Sequence, residues 1–233
     1  MLPMRVLLNR LRAGAFLAIT LMFVAMFGFY LFMSYYTQTV LGYSPVQAGL
    51  TLIINALAAL AGSMLIAGKL HGRVPPAALI VPGLLAAAAG MLLLTRLTAD
   101  TTGVFSFYLV PALMLTGLGL GCVMPPTASL ATAGTQGHDI GAASAAYNAA
   151  QQLGAALGTA LFNTLAASAG AAFLAAHPNA LPDASVVHGY TVALTVAFAL
   201  LVAAACLTAR LIITRGGRGG SPSHPAPTPA KQL

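Results

Sequence analysis

Seven polar side chains inside one apolar stretch are the residues best placed to do chemistry: Ser144, Tyr147, Asn148, Gln151, Gln152, Thr159 and Asn163. They fall at i, i+3, i+4, i+7, i+8, i+15 and i+19. At about 100° per residue they occupy roughly 160° of one helical face, with Ala, Leu and Phe opposite. All seven are amides or hydroxyls, which donate and accept hydrogen bonds but do not titrate near neutral pH. The chemistry on offer is recognition rather than proton transfer. An unsatisfied amide in hydrocarbon costs several kcal/mol, so this face must meet other helices or water.

A second set lies earlier. Tyr30, Ser34, Thr37 and Gln38 share a face at i, i+4, i+7 and i+8, and Asn55 is the one strongly polar residue within the next apolar stretch. The tyrosines also suit an interfacial belt. Asn55 reads first as an interhelical hydrogen bond and second as a ligand contact. Met22, Met26 and Met33 either add adaptable surface beside the polar face or, more simply, pack against lipid and neighbouring helices. Paired carboxylates, a metal-ligand cluster, a nucleophile with its base and a phosphate loop with lysine are all missing from the sequence. No enzyme, metal or cofactor is predicted. His71, His138, His177, His188 and His224 fall in loops, at span ends or in the tail, where a solvated imidazole needs no special role. Asp139 suits the N-cap of the striped helix, with a His138–Asp139 proton-handling pair as the lesser alternative.

Side chains of this kind need a bilayer around their helices. Apolar residues make up 59% of the 233 and charged residues 6%, too few charges to cover a soluble domain. The class is all-α: a polytopic membrane bundle of six transmembrane helices, spanning about 13–37, 46–70, 75–95, 103–124, 140–167 and 189–213. Residues 1–12 read as a basic lead and 214–233 as a disordered tail. The first span is too long for a signal-peptide core. Pro45 opens the second span, and Pro125-Pro126 ends or kinks the fourth. Gly117-Leu118-Gly119-Leu120-Gly121 lacks the third glycine and the downstream acid of a dinucleotide loop, and reads instead as close helix packing. Cys122 and Cys206 sit in apolar runs as small hydrophobes. Lys and Arg cluster at the start, at Lys69 and Arg73 in the loop after the second span, and from Arg210 onward, with only Arg96 on the opposite side. Six spans and this asymmetry put both termini in the cytoplasm of a plasma-membrane protein. The same asymmetry explains the basic balance without nucleic acid.

Three stretches resemble a known family. Tyr36-Thr37-Gln38-Thr39-Val40-Leu41-Gly42-Tyr43-Ser44-Pro45 with Val46 to Leu50, the glycine-rich Gly117 to Pro126, and Gly141-Ala142-Ala143-Ser144 with Asn148, Gln152-Leu153-Gly154 and Ala156-Leu157-Gly158 are similar to the C-terminal six-helix half of a major facilitator superfamily transporter. The likeness, from about Leu11 to Ile213, is to the fourteen-span drug:proton antiporter type. It implies two six-helix halves rocking around a central cavity, and export of lipophilic or cationic drug-like solutes against proton entry. It also implies an N-terminal half or a second copy as partner, with the coupling carboxylates there, since no span here has an ionisable residue near its middle. The first, second, fourth and fifth helices then face the cavity, with Tyr30, Ser34, Gln38, Asn55, Asn148 and Gln152 as lining residues and Tyr147 and Gln151 on the same stripe. Two positions depart from the family pattern: Gly72 stands where an Asp is expected, and Gln151 where Arg is frequent. The alternative is a non-transporting membrane subunit that packs against partner helices through the same faces.

Overall fold

The computed structural model describes residues 10–70, 72–96, 105–135, 138–179 and 181–213, all in helices or the turns between them. The basic tail and most of the lead lie outside these residues. The first helix, α1, is Arg10–Tyr35, carried on by a π-helical turn Tyr36–Val40. Next, α2 is Pro45–Ala61, followed by the π-helical Gly62–Ala67 and the closing turn Gly68–Leu70. α3 is Ala77–Leu94, and α4 is Val110–Thr132 behind a π turn Phe105–Leu109. α5 is His138–Ala176 and α6 is Pro182–Ile213. Among the described residues, six helices are long and apolar enough to cross a membrane.

The start of α2 shows how local chemistry sets a boundary. Gly42 takes a left-handed φ of 68°, a turn conformation that glycine adopts without steric cost. Ser44 then caps the helix: its side chain accepts from Gln47 N at 3.3 Å, while Ser44 N donates to Gln47 Oε1 at 2.9 Å. This reciprocal box satisfies two otherwise orphaned donors. Pro45 follows at the first helical position, where its missing N–H costs nothing.

α1 packs against α4, α5 and α6; α3 packs against α4 and α6; α2 packs chiefly on α4. Arg12, 8% exposed, donates from Nη2 to Ala133 O, tying the start of α1 to the end of α4. At the other end of α1, Phe32 meets Tyr190 of α6 edge-on and Tyr35 lies tilted against it, with ring centroids 5.7 and 5.4 Å apart. The start of α1, the end of α4 and the end of α6 therefore share one end of the bundle.

Several boundaries differ from those expected. α1 begins at Arg10, and Arg12 is inside the bundle rather than in a solvated lead. α4 runs through Pro125 and Pro126 to Thr132 instead of ending there. The prolines leave carbonyls a turn earlier without their usual donors, but the helix is stitched to its neighbours on both sides of them. Cys122 Sγ approaches Gly62 O at 3.8 Å before them, and Thr127 Oγ1 lies 2.8 Å from Tyr147 Oη of α5 after them. α5 reaches Ala176, not about 167, and α6 starts at Pro182, not about 189. Met22, Met26 and Met33 are at most 1% exposed; they face neighbouring helices, the simpler of their two readings.

The glycine run of α4 shows the physical logic of the packing. A Cβ on Gly117 or Gly121 would strike the backbone of α2 at Asn55 O or Ala59 O, and one on Gly119 would strike α3 at Gly83 O. Positions i and i+4 face one neighbour and i+2 the other, so alternate glycines let α4 touch two helices backbone to backbone. Lipid tails are as apolar as Leu, so close van der Waals approach rather than water exclusion drives this association. Gly121→Ala is expected to destabilise the bundle by about 1–3 kcal/mol through overpacking. Gly141→Ala, whose Cβ meets nothing within 4 Å, is expected to change stability by less than about 0.5 kcal/mol. Thermal unfolding of the purified variants in one detergent checks both, and equal melting temperatures would contradict the packing argument.

Candidate functional site

The polar residues expected on one cavity surface are distributed among several surroundings. Tyr30 and Asn55 come together. Tyr30 Oη donates to Asn55 Oδ1 at 3.0 Å, and Asn55 Nδ2 donates to Leu113 O at 3.0 Å and Thr116 Oγ1 at 2.9 Å. Thr116 Oγ1 passes its own proton to Ala112 O at 2.7 Å. The Asn55 amide is thus used at both ends and is only 3% exposed. It joins α1, α2 and α4, which is the interhelical reading of that residue. It also borders an open groove of about 530 Å³, lined by Tyr30, Leu52, Asn55, Ala56, Ala59 and Leu120.

Beyond Tyr30 the half-buried face of α1 continues as Phe27 and Phe23. Ring centroids are 6.2 Å apart for Phe27–Tyr30 and 6.5 Å for Phe23–Phe27. With Ser34 they fall at i, i+4, i+7 and i+11 from Phe23, one side of the helix. Phe23, Phe27 and Leu120 carry no polar side-chain atom, so the spacing of polar residues does not single them out. The same spacing rule applied to aromatic residues would have found the two phenylalanines.

Ser34 and Gln38 sit farther along α1 and satisfy each other. Gln38 Nε2 donates to Ser34 O at 3.0 Å and to Ser34 Oγ at 2.9 Å. The stripe of α5 splits in two. Tyr147 and Gln151 turn inward and are buried: Tyr147 Oη lies 2.8 Å from Thr127 Oγ1 and donates to Met124 O at 3.1 Å. Phe16 of α1 meets the Tyr147 ring edge-on at 6.4 Å. Asn148 and Gln152 are exposed and do not line the groove. They lie on the flank of α5 that farther on carries Asn163, at a second recess of about 230 Å³ between α5 and α6 that includes Ser185 and Tyr190. Gly154 and Gly158 press α5 onto the α1 backbone at Thr20 and Val24.

Lys69 and Arg73 are exposed on the loop after α2. There Gly72 has φ of 77°, a left-handed conformation in which an Asp would be strained. The turn it makes lets Arg73 N and Val74 N both donate to Leu70 O. The backbone thus accounts for glycine at this position.

In chemical terms the groove offers one aromatic face, that of Tyr30, aliphatic walls and one phenol–amide pair. Its lining contains no acid, base or cation. Such a surface can orient an apolar or aromatic solute by one or two hydrogen bonds and cannot itself move a proton.

Comparison with known proteins adds to this geometry. The family model described as Major Facilitator Superfamily matches residues 2–159. The chain is 46% identical, over 99% of its length, to a puromycin resistance protein, pur8, of Streptomyces alboniger, and covers 46% of that protein. It is 30% identical over 66% of its length to a multidrug resistance protein B homolog of Mycobacterium tuberculosis. To a tetracenomycin C resistance and export protein of Streptomyces glaucescens it is 32% identical over 68% of its length. It covers 28% of each of the latter two and so spans less than half the length of these curated relatives. Six membrane-length helices packed through glycines, and a family match over more than half of the sequence, lead to one conclusion: this chain belongs to the major facilitator superfamily.

Proposed function

We propose that the chain forms one six-helix half of a membrane exporter of drug-like small molecules, working by alternating access. The observation that carries this reading is the uncharged groove around Tyr30 and Asn55, in a chain whose relatives are named for antibiotic resistance and export. The Tyr30 ring gives a face against which apolar solutes can lie and its hydroxyl a point of orientation, and Phe27 and Phe23 continue the same side of α1 beyond the groove. The substrate class is lipophilic or cationic organic molecules.

The half is completed by a second six-helix unit, on the same polypeptide or on another copy. α2 and the π-helical turn after it support this, with Val46, Leu50, Ile53, Leu57, Leu60 and Met64 all exposed at alternating steps of four and three. That is the spacing of a helix seam, and lipid is its other possible cover. Proton coupling is assigned to that second unit, because Asp139 and Asp183 lie in the first turns of α5 and α6 and the groove has no titratable carboxylate. The membrane is the plasma membrane, with the Arg12, Lys69 and Arg210 end of the bundle in the cytoplasm by the positive-inside rule.

In the complete transporter, Tyr30→Phe is expected to lower resistance to a hydrogen-bonding substrate about fivefold, the ~1 kcal/mol of one hydrogen bond. Phe27→Ala should alter the relative resistance to large and small aromatic compounds, with membrane insertion preserved in both. Resistance profiles that match wild type for both variants would remove the groove from consideration. Asn148→Ala and Gln152→Ala test the exposed flank of α5 in the same assay, and a changed profile there would move recognition toward that face. Blotting source cells for the chain should give a species about twice its 23.5 kDa or larger, as two repeats of six helices require. A functional product of 23.5 kDa that exports without pairing would overturn the two-unit arrangement.

A further inference from the structure

Two residues of the groove lining have polar side chains, Tyr30 and Asn55, beside Leu52, Ala56, Ala59 and Leu120. Their hydrogen-bonding atoms can therefore be counted. The backbone N–H groups at all these positions lie inside α1, α2 or α4, where each bonds the carbonyl of the preceding turn. The side chains add three donors: the Tyr30 O–H and the two N–H groups of the Asn55 amide.

Their neighbours fix the direction of every one. The Leu113 carbonyl can only accept, so the Asn55 atom 3.0 Å from it is the nitrogen. The second N–H goes to Thr116 Oγ1 at 2.9 Å. Thr116 can accept it, because its own proton goes to Ala112 O at 2.7 Å. The amide oxygen is then turned to Tyr30. An amide oxygen only accepts, so the phenol 3.0 Å away donates to it. All three donors are committed inside the protein. The lining has only lone pairs left, on Tyr30 Oη and Asn55 Oδ1. Asn55 is 3% exposed and Thr116 is fully buried. Turning the amide over would set its oxygen against the Leu113 carbonyl and lose a buried hydrogen bond.

We propose that the groove selects solutes by their hydrogen-bond donors. It takes an organic molecule with an N–H or O–H beside an apolar body, and disfavours the same molecule with that hydrogen replaced by methyl. The inference rests on the groove being the solute site proposed above, and it names the chemistry that site prefers. A donor on the solute finds an acceptor in the phenol–amide pair. A solute that brings only acceptors gives up its water and finds no donor in exchange. Charge is a separate matter, since the Tyr30 ring face attracts an organic cation with or without an N–H. Thr116 does not border the groove. It is a positioning residue: by accepting from Asn55 Nδ2 it keeps the amide oxygen toward Tyr30, and so keeps the phenol proton away from the solute.

The test holds charge constant. Dimethyl(1-naphthylmethyl)ammonium and trimethyl(1-naphthylmethyl)ammonium are both cations at neutral pH, and the first has an N–H where the second has a methyl. Their binding to the purified full chain in phosphatidylcholine nanodiscs is read by naphthalene fluorescence, with protein-free nanodiscs subtracted. The N–H form is expected to bind about tenfold more tightly, the effect of one hydrogen bond from a charged donor. Tyr30→Phe should cut that ratio to about threefold or less by weakening the N–H form alone. Thr116→Val should also lower the ratio, and Thr116→Ser should restore it. If Thr116→Val weakens both compounds alike, the positioning role is overturned. Equal affinities in wild type, or a ratio that neither Tyr30→Phe nor Thr116→Val moves, would overturn donor selection while leaving the groove as a solute site. Binding of neither compound above protein-free nanodiscs would overturn the groove as a site, and donor selection with it.

Discussion

The backbone-to-backbone contact of α4 with two helices at once is the constraint on which the rest of the bundle depends. Gly117 and Gly121 admit α2 while Gly119 admits α3, so α4 becomes the common wall of the half. Hydrophobic side chains gain little by leaving lipid for one another, and helix association must rest on dispersion and on hydrogen bonds that form only at short range. Close approach supplies both. It brings the Asn55 amide within 3.0 Å of the Leu113 carbonyl and 2.9 Å of the Thr116 hydroxyl, and this in turn holds Asn55 where the Tyr30 hydroxyl can reach it. The groove is therefore a consequence of the glycine contacts.

The existence and number of the spans were legible in the sequence, because twenty or more apolar residues between charged or proline-rich breaks admit few other readings. Helix ends were less so, for reasons particular to each. A double proline in water generally stops a helix, but Pro125-Pro126 lie in α4 where α2 and α5 provide Gly62 and Tyr147 as neighbours on either side. Hydropathy marks where the hydrocarbon ends and says little about where a helix ends in water. Ala-rich sequence after Asn163 keeps α5 helical to Ala176, so residues from Ala169 to Ala176 are helix and not loop.

The polar stripes show a similar limit. Periodicity correctly places residues on a face, but a face as wide as that of α5 meets more than one neighbour. Tyr147 turns to α4 and Gln151 is buried, whereas Asn148 and Gln152 stay exposed. On α1, Ser34 and Gln38 satisfy each other one turn apart, as such pairs do on any helix with i, i+4 partners. Spacing cannot distinguish a polar residue that is available to a ligand from one already spent on its own helix. The methionines err in the opposite direction. Their flexibility suits a recognition surface, yet it also suits filling the gaps between closely packed helices, and Met22, Met26 and Met33 do the latter in the core with Phe29 and Phe32.

Recognition by a wall without charge has a consequence for how such a half can work. An ionised side chain in the groove would demand a counter-charge from each solute and would carry a desolvation penalty whenever the site was empty. Tyr30, the aromatic residue of the groove's lining, imposes no such demand, and a ring face accepts many shapes and also attracts a cation without an ion pair. Under the proposed function, breadth of recognition and coupling to a proton fall to different parts of the complete protein. The groove would serve chemically unlike solutes because its lining holds no carboxylate or cation, and a carboxylate that titrates can be placed where changing solutes do not disturb its pKa.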